Sequence, residues 1–255
     1  MTPAMIQRGG RLTRRLAILV AVHSLVLLAP VAYADPDDYV AVPGVEYGER
    51  EIELRLGTAS ATDEHRQSAA SLAFGYGVTP WWATEIYGKW HRSDATSFDA
   101  FEWENRFQLT EPGQYFADFG LLVEIERPRD RAEGYELRLG PLMQKDFGPV
   151  QANFNVLLER HYRASEPEET ELGYQWQLRY RWRPGFDFGA QGFGDVGPWN
   201  DWDPTRDQPH VAGPAIFGRF NLGGRQVLKY DAAVLFKLTN AAPSTTLRAQ
   251  LEYEF

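Results

Sequence analysis

Acidic side chains two residues apart recur through the middle of the chain. Glu102 is followed by Glu104 and Glu124 by Glu126, with Glu85, Asp118 and Glu136 nearby. Bases gather later, at Arg179, Arg181, Lys229, Lys237 and Arg248. Two carboxylates on one surface can do acid–base work when one of them keeps its proton, although such pairs arise by chance in so acidic a chain. An acidic surface facing a basic one has a different use: its transverse field orients polar solutes and screens them by charge.

Three further constellations invite chemistry. His65, His91, His161 and His210 could bind zinc, copper or nickel if the fold brought four imidazoles to one level. No pair of them has the close spacing of a local metal motif, so solvated histidines are the expectation. His91-Arg92-Ser93 sets a base and a hydroxyl two residues apart, on one face if the segment is a strand. A hydrolase also needs a third group to orient the base. The stretch 194–210 holds Trp199, Trp202, Asp201, Asp203 and Asp207. It could fold inward as a constriction or hold a divalent cation, but it lacks the full spacing and closing glutamate of a calcium loop. No catalytic residue, metal or cofactor is assigned.

The elements that must position these groups alternate with period two, the signature of β-strands. In 51–57, Ile52, Leu54 and Leu56 take one face and Glu51, Glu53 and Arg55 the other. In 82–90, Trp82, Ile86 and Trp90 oppose Glu85, Tyr87 and Lys89. In 101–109, Phe101, Trp103, Phe107 and Leu109 oppose Glu102, Glu104, Arg106 and Gln108. The segment 115–126 sets Phe119, Leu121, Val123 and Ile125 against Asp118, Glu124 and Glu126. The same beat runs through 68–78, 135–144, 150–159, 172–182, 186–193, 211–220, 227–238 and 246–255. Twelve strands result. Each has a polar face, and the apolar face is rich in the aromatics that make up 14% of the chain.

A closed barrel in lipid needs this arrangement: an apolar band outside, a wet lumen inside and no open edge. The connections alternate too. Short turns (VTPWW, TEPGQ, DFGP, RPG, NLGG) exchange with longer loops at 58–67, 92–100, 127–134, 161–171, 194–210 and 239–245. Both termini then sit on the short-turn side, which is periplasmic in outer-membrane barrels. Twelve strands fall between about eight, which side chains fill, and about sixteen, which leave an aqueous channel. The lumen is therefore either a narrow pore or a salt-bridged interior.

Residues 1–34 read as a secretory signal. Arg8, Arg11, Arg14 and Arg15 precede the run LAILVAVHSLVLLAPVA, and Ala32-Tyr33-Ala34 is an A-x-A cleavage site. Losing four arginines takes the formal charge from −9 to −13. Residues 35–49 are expected to form a short periplasmic segment before a single barrel over 50–255. With no cysteine, disulfide scaffolds and thiolate chemistry are excluded. An acidic chain without a basic block is a poor nucleic-acid partner.

Leu247, Leu251, Tyr253 and Phe255 alternate up to a terminal phenylalanine, which resembles the signal by which the barrel assembly machinery recognises bacterial outer-membrane proteins. With the leader and the alternation, the whole chain resembles Gram-negative outer-membrane β-barrels. VEYGEREIELRLG, FEWENRFQLTEPG and GYQWQLRYRWRPG with QGFGDVGPW look like an uncharacterised proteobacterial family of this kind. LRLGPLMQKDFG and VAGPAIFGRFNLG resemble the transporter-like barrels named after the meta-pathway of phenol degradation. These motifs imply a fold and no established substrate. His91-Arg92-Ser93 resembles the His-x-Ser arrangement of outer-membrane phospholipase, another twelve-stranded barrel. That enzyme works at its lipid-facing wall, whereas the alternation turns His91 and Ser93 inward.

The expected partners are outer-membrane lipid, lipopolysaccharide, the assembly machinery and a small solute. The expected function is a narrow channel or transporter-like barrel for small polar or charged solutes, with lumen charges setting selectivity. A lipid-modifying enzyme and a non-conducting structural or partner-binding barrel are the other readings.

Overall fold

A computed structural model describes residues 35–60, 66–92 and 95–255. The leader 1–34, His65 and Ser93 lie outside the described residues. Twelve strands follow in chain order: β1 (Arg50–Ser60), β2 (Arg66–Thr79), β3 (Trp82–Arg92), β4 (Thr96–Gln108), β5 (Asp118–Pro128) and β6 (Tyr135–Phe147), then β7 (Val150–Tyr162), β8 (Glu171–Arg183), β9 (Phe186–Pro198), β10 (His210–Gly223), β11 (Gln226–Lys237) and β12 (Thr245–Glu254). Each pairs antiparallel with its sequence neighbours, and β1 pairs with β12, with Leu54 opposite Leu251, to close the barrel. At 10–14 residues, the strands are long enough for the ~9–11 residues that a tilted bilayer crossing takes.

The alternation assigns the faces as expected. Ile86 is 62% exposed and its neighbour Glu85 3%, the inverse of a water-soluble sheet. Such a surface is stable only against hydrocarbon. Rings gather on the outer face near the short turns. Trp81 and Trp82 both stack on Phe107 at 6.3 Å, Tyr253 stacks on Phe255 at 5.5 Å, and Trp182 meets Phe186 at 5.9 Å. This is the girdle expected where lipid meets water. The Phe255 N–H donates to Arg50 O at 2.8 Å, tying the end of β12 to the start of β1.

Loop lengths depart from the expected alternation. The gap between β3 and β4 is only three residues, and the turn between β4 and β5 takes nine. β4 starts at Thr96 because a bulge at Asp99 resets its register, so Trp90 faces Phe98 after Lys89 faces Ala100. The extra residue keeps Phe98 outward, 4.7 Å from Phe101 and 5.9 Å from Trp90 between ring centres. Tyr115 and Phe116 fall in the turn instead of opening β5.

Candidate functional site

The lumen is occupied by the chain itself. The segment DPDDYVAVPGVEYGE (35–49), read from sequence as a periplasmic appendage, runs back up inside the ring of strands. At the short-turn end the Gly48 N–H donates to Gly77 O at 2.8 Å. Farther in, the Val45 N–H donates to Gln108 Oε1 at 2.9 Å, and Ala41 O accepts from Asn155 Nδ2 at 2.9 Å. The Tyr39 hydroxyl donates to Glu104, and Asp37 accepts from Ser71. Asp38 lies 3.4 Å from Arg138, and Asp35 lies 3.5 Å from Lys89. Ala41 is 0% exposed. A buried backbone outside any ladder must find partners, and inward amides such as Gln108 and Asn155 supply them.

Two apolar patches hold the segment's side chains. Val40 packs in a cluster with Phe193, Val211, Phe217 and Leu235. Tyr39 and Ala41 pack with Leu122, Leu142 and Leu157. The extended YVA stretch alternates its side chains between these patches, as a strand does. Room comes from glycines at inward positions. A Cβ on Gly57 would overlap the Pro36 backbone, and one on Gly77 would overlap Glu46 O.

A Gly57→Val variant is therefore expected to unseat the segment. The protein lacks cysteine, so a single Ala41→Cys reporter reads this cleanly. Maleimide labelling should be slow in the Ala41→Cys barrel and about tenfold or more faster when Gly57→Val is added. Equal rates would show that Gly57 does not seat the segment.

Around the segment, the inward charges form local ion pairs. Lys89 lies 3.2 Å from Glu102 and 2.6 Å from Glu126. Arg106 reaches Glu85, Glu51 and Glu104, the last two at 3.3 Å. Arg138 lies 3.4 Å from Glu124, 3.8 Å from Glu136 and 3.0 Å from Glu159. Arg55 pairs with Glu53 and lies 3.7 Å from Glu104.

The basic candidates have partners of their own. Arg179 pairs with Asp187 at 2.6 Å, Arg181 with Asp146 at 3.1 Å and Arg248 with Asp231 at 3.4 Å. Lys229 lies 2.9 Å from Glu252 and also meets Glu254. Lys237 is exposed at the long-loop end of β11, and Asp118 caps a turn by accepting from the Gly113 N–H at 2.6 Å.

Over most of the depth, then, the acidic surface is interleaved with four bases, each shared by several carboxylates, instead of facing a remote basic wall. The alternation already turns Arg55, Lys89 and Arg106 inward. Their place in the site becomes visible only once the register sets them beside the glutamates.

Among the described residues the histidines do not assemble. His161 Nδ1 bonds Glu133 O at 3.0 Å, and His210 Nδ1 bonds the Tyr174 hydroxyl at 3.1 Å. Ligating side chains converge at Glu136–Glu159–His161 and at Glu102–Glu104–Glu124. Bases already serve both groups. Of the 194–210 stretch, β9 takes the part up to Pro198. Trp199 and Trp202 stay exposed, with Trp202 Nε1 donating to Trp199 O at 3.3 Å.

Below the segment a cavity of about 730 Å³ opens between Tyr39 and the short-turn end. Its lining mixes both signs. Glu51, Glu85 and Glu252 on β1, β3 and β12 are accompanied by Arg55 and Arg106, and Arg179 and Arg219 on β8 and β10 by Asp187 and Asp231.

No protein-family model and no curated protein sequence matches the chain. Solved structures do resemble it. The COG4313 outer membrane channel from Pseudomonas putida F1 superposes with a TM-score of 0.54 at 14% identity, covering 87% of this chain and 99% of that one. The NanC porin gives 0.53 at 10% identity over 80% of this chain and 98% of its own. The translocator domain of autotransporter NalP from Neisseria meningitidis gives 0.51 at 10% identity over 82% and 88%. At these identities the likeness concerns architecture alone, and the architecture is that of an outer-membrane β-barrel.

Proposed function

We propose that the protein is a narrow channel of the bacterial outer membrane for small polar or charged solutes, held closed by its own residues 36–43. The observation that carries this reading is the vestibule. A cavity of about 730 Å³ enters from the short-turn end and stops at Tyr39, Val40 and Val42. A barrel with no use for a solute path could fill that volume with inward side chains, as smaller barrels do. The channel and porin identities of two structural neighbours support the reading. Planar-bilayer recordings of the full-length barrel, and of one lacking the segment, test it. No conductance and no solute flux from either would sink it.

In this reading the short turns face the periplasm, and Phe255 with Tyr253 forms the assembly signal. Phe255→Ser should lower the heat-modifiable, folded fraction in outer membranes several-fold at equal synthesis. An unchanged folded fraction would remove that role from Phe255.

A further inference from the structure

At the long-loop end of the lumen, β6 and β7 bring Glu136, Glu159 and His161 together, with one ligating atom of each within 4.8 Å of the others. Glu168, in the loop after β7, reaches the same point. His161 Nε2 lies 3.6 Å from Glu136 Oε2 and 3.7 Å from Glu168 Oε2. Register explains the meeting. Glu136 stands opposite His161 across the β6–β7 ladder, and Glu159 stands opposite Glu171 across β7–β8. Like charges placed directly opposite repel, and a single guanidinium serves the group. Arg138 is shared among Asp38, Glu124, Glu136 and Glu159. Among the described residues no lysine or arginine lies within ion-pairing distance of Glu168 or Glu171.

The imidazole is held in the tautomer that a metal ligand needs. Its Nδ1 lies 3.0 Å from Glu133 O. A carbonyl only accepts, so Nδ1 carries the hydrogen and the lone pair of the neutral ring is on Nε2. That lone pair faces two carboxylate oxygens, which only a cation between them reconciles. A proton on Nε2 fits poorly, because both oxygens lie beyond the ~2.7–3.2 Å of an N–H···O bond. A metal ion fits better: ligands about 2.1 Å from zinc stand about 3.4 Å apart along a tetrahedral edge.

The loop that carries Glu168 is fixed on both sides. The Ser165 N–H donates to Ala132 O at 2.7 Å, and Thr170 O accepts from the Trp199 N–H at 3.0 Å. The Glu168 side chain is half-exposed, so the point is open to an ion from outside.

We infer that this rim binds a divalent transition-metal ion, with zinc as its type, through His161 Nε2 and the carboxylates of Glu136, Glu159 and Glu168. Arg138, whose Nε donates to Glu159 Oε2 at 3.0 Å, then orients a ligating carboxylate from behind. An imidazole in the ligand set favours zinc, copper or nickel over magnesium and calcium. The chain has no cysteine, so no thiolate competes for the ion. The site draws on the rim alone and holds whether or not a solute crosses the barrel.

Isothermal titration calorimetry with Zn²⁺ on the untagged, full-length barrel, refolded free of metal, tests it. About one equivalent should bind saturably, and Mg²⁺ should bind at least about tenfold more weakly. His161→Ala should weaken Zn²⁺ binding about tenfold or more, and so should Glu136→Gln/Glu168→Gln. His210→Ala should leave it unchanged, with heat-modifiability showing that each variant folds. In the unaltered barrel, Co²⁺ in place of Zn²⁺ should give the intense visible absorption of a four-coordinate site, a readout that needs no variant.

The proposal is overturned if Zn²⁺ does not bind saturably, if Mg²⁺ binds equally, or if either ligand variant binds as well as the parent. It is also overturned if His210→Ala weakens binding as much as His161→Ala, or if the cobalt spectrum is the weak one of a six-coordinate ion.

Discussion

A barrel lacking residues 35–44 conducts about tenfold or more better than the full chain in planar bilayers, with unchanged secondary structure and heat-modifiability. The expected size of the effect follows from what the segment displaces. Twelve strands enclose more space than side chains fill at about eight, and here the surplus near the middle is taken by Asp37–Pro43. Its removal exposes Leu122, Leu142 and Leu157 on one side and Phe193, Val211 and Leu235 on the other. Water fills a path that chain had filled, while Arg106, Lys89 and Arg138 stay paired with their glutamates. Conductance that does not change on deletion would show that the ion-paired wall, and not the segment, closes the lumen. Adding the synthetic peptide DPDDYVAVPG to the deleted barrel should lower conductance again. Failure to do so, after an increase on deletion, would mean that closure needs the covalent link at Val45–Glu49.

The strands were legible because alternation is a strong signal when one face meets lipid. Where the period holds, as in Ile52/Leu54/Leu56 or Phe101/Trp103, the faces follow residue by residue. It failed where the backbone breaks period. The bulge at Asp99 puts Phe98 and Phe101 on the same face three residues apart, so the first part of β4 reads as loop. The lumen was less legible. Leu122, Leu142 and Leu157 sit at inward positions where a solvated wall calls for polar groups, and no strand-by-strand reading says what they pack against. Their partners, Tyr39 and Ala41, lie in a stretch too short to show a period. Nor does one strand reveal its ion pairs: Lys89 on β3 reaches Glu102 on β4 and Glu126 on β5, which depends on register.

Arg106 should be the most costly single charge to remove. It lies against Glu85, Glu51 and Glu104, whose side chains are 4%, 9% and 1% exposed. Arg106→Ala leaves these carboxylates facing one another with one fewer cation among them. Removing one partner of a buried ion pair costs roughly 3–5 kcal/mol, because the remaining charge is neither solvated nor paired. Urea unfolding of the barrel in lipid vesicles, followed by tryptophan fluorescence, should show a loss of that order. Arg181→Ala is the control. Its pair with Asp146 is exposed, and such pairs contribute about 0–1 kcal/mol.

The loss at Arg106 belongs mainly to the stranded carboxylates, so it should be partly recovered when one of them is neutralised as well. Arg106→Ala/Glu85→Gln is expected to be more stable than Arg106→Ala alone, although it has lost two charges. If both variants unfold at the same urea concentration, Glu85 is not the burdened partner. If Arg106→Ala itself matches Arg181→Ala, water reaches the lumen wall well enough to solvate it. The barrel interior would then be an open polar surface and not the ion-paired packing described here.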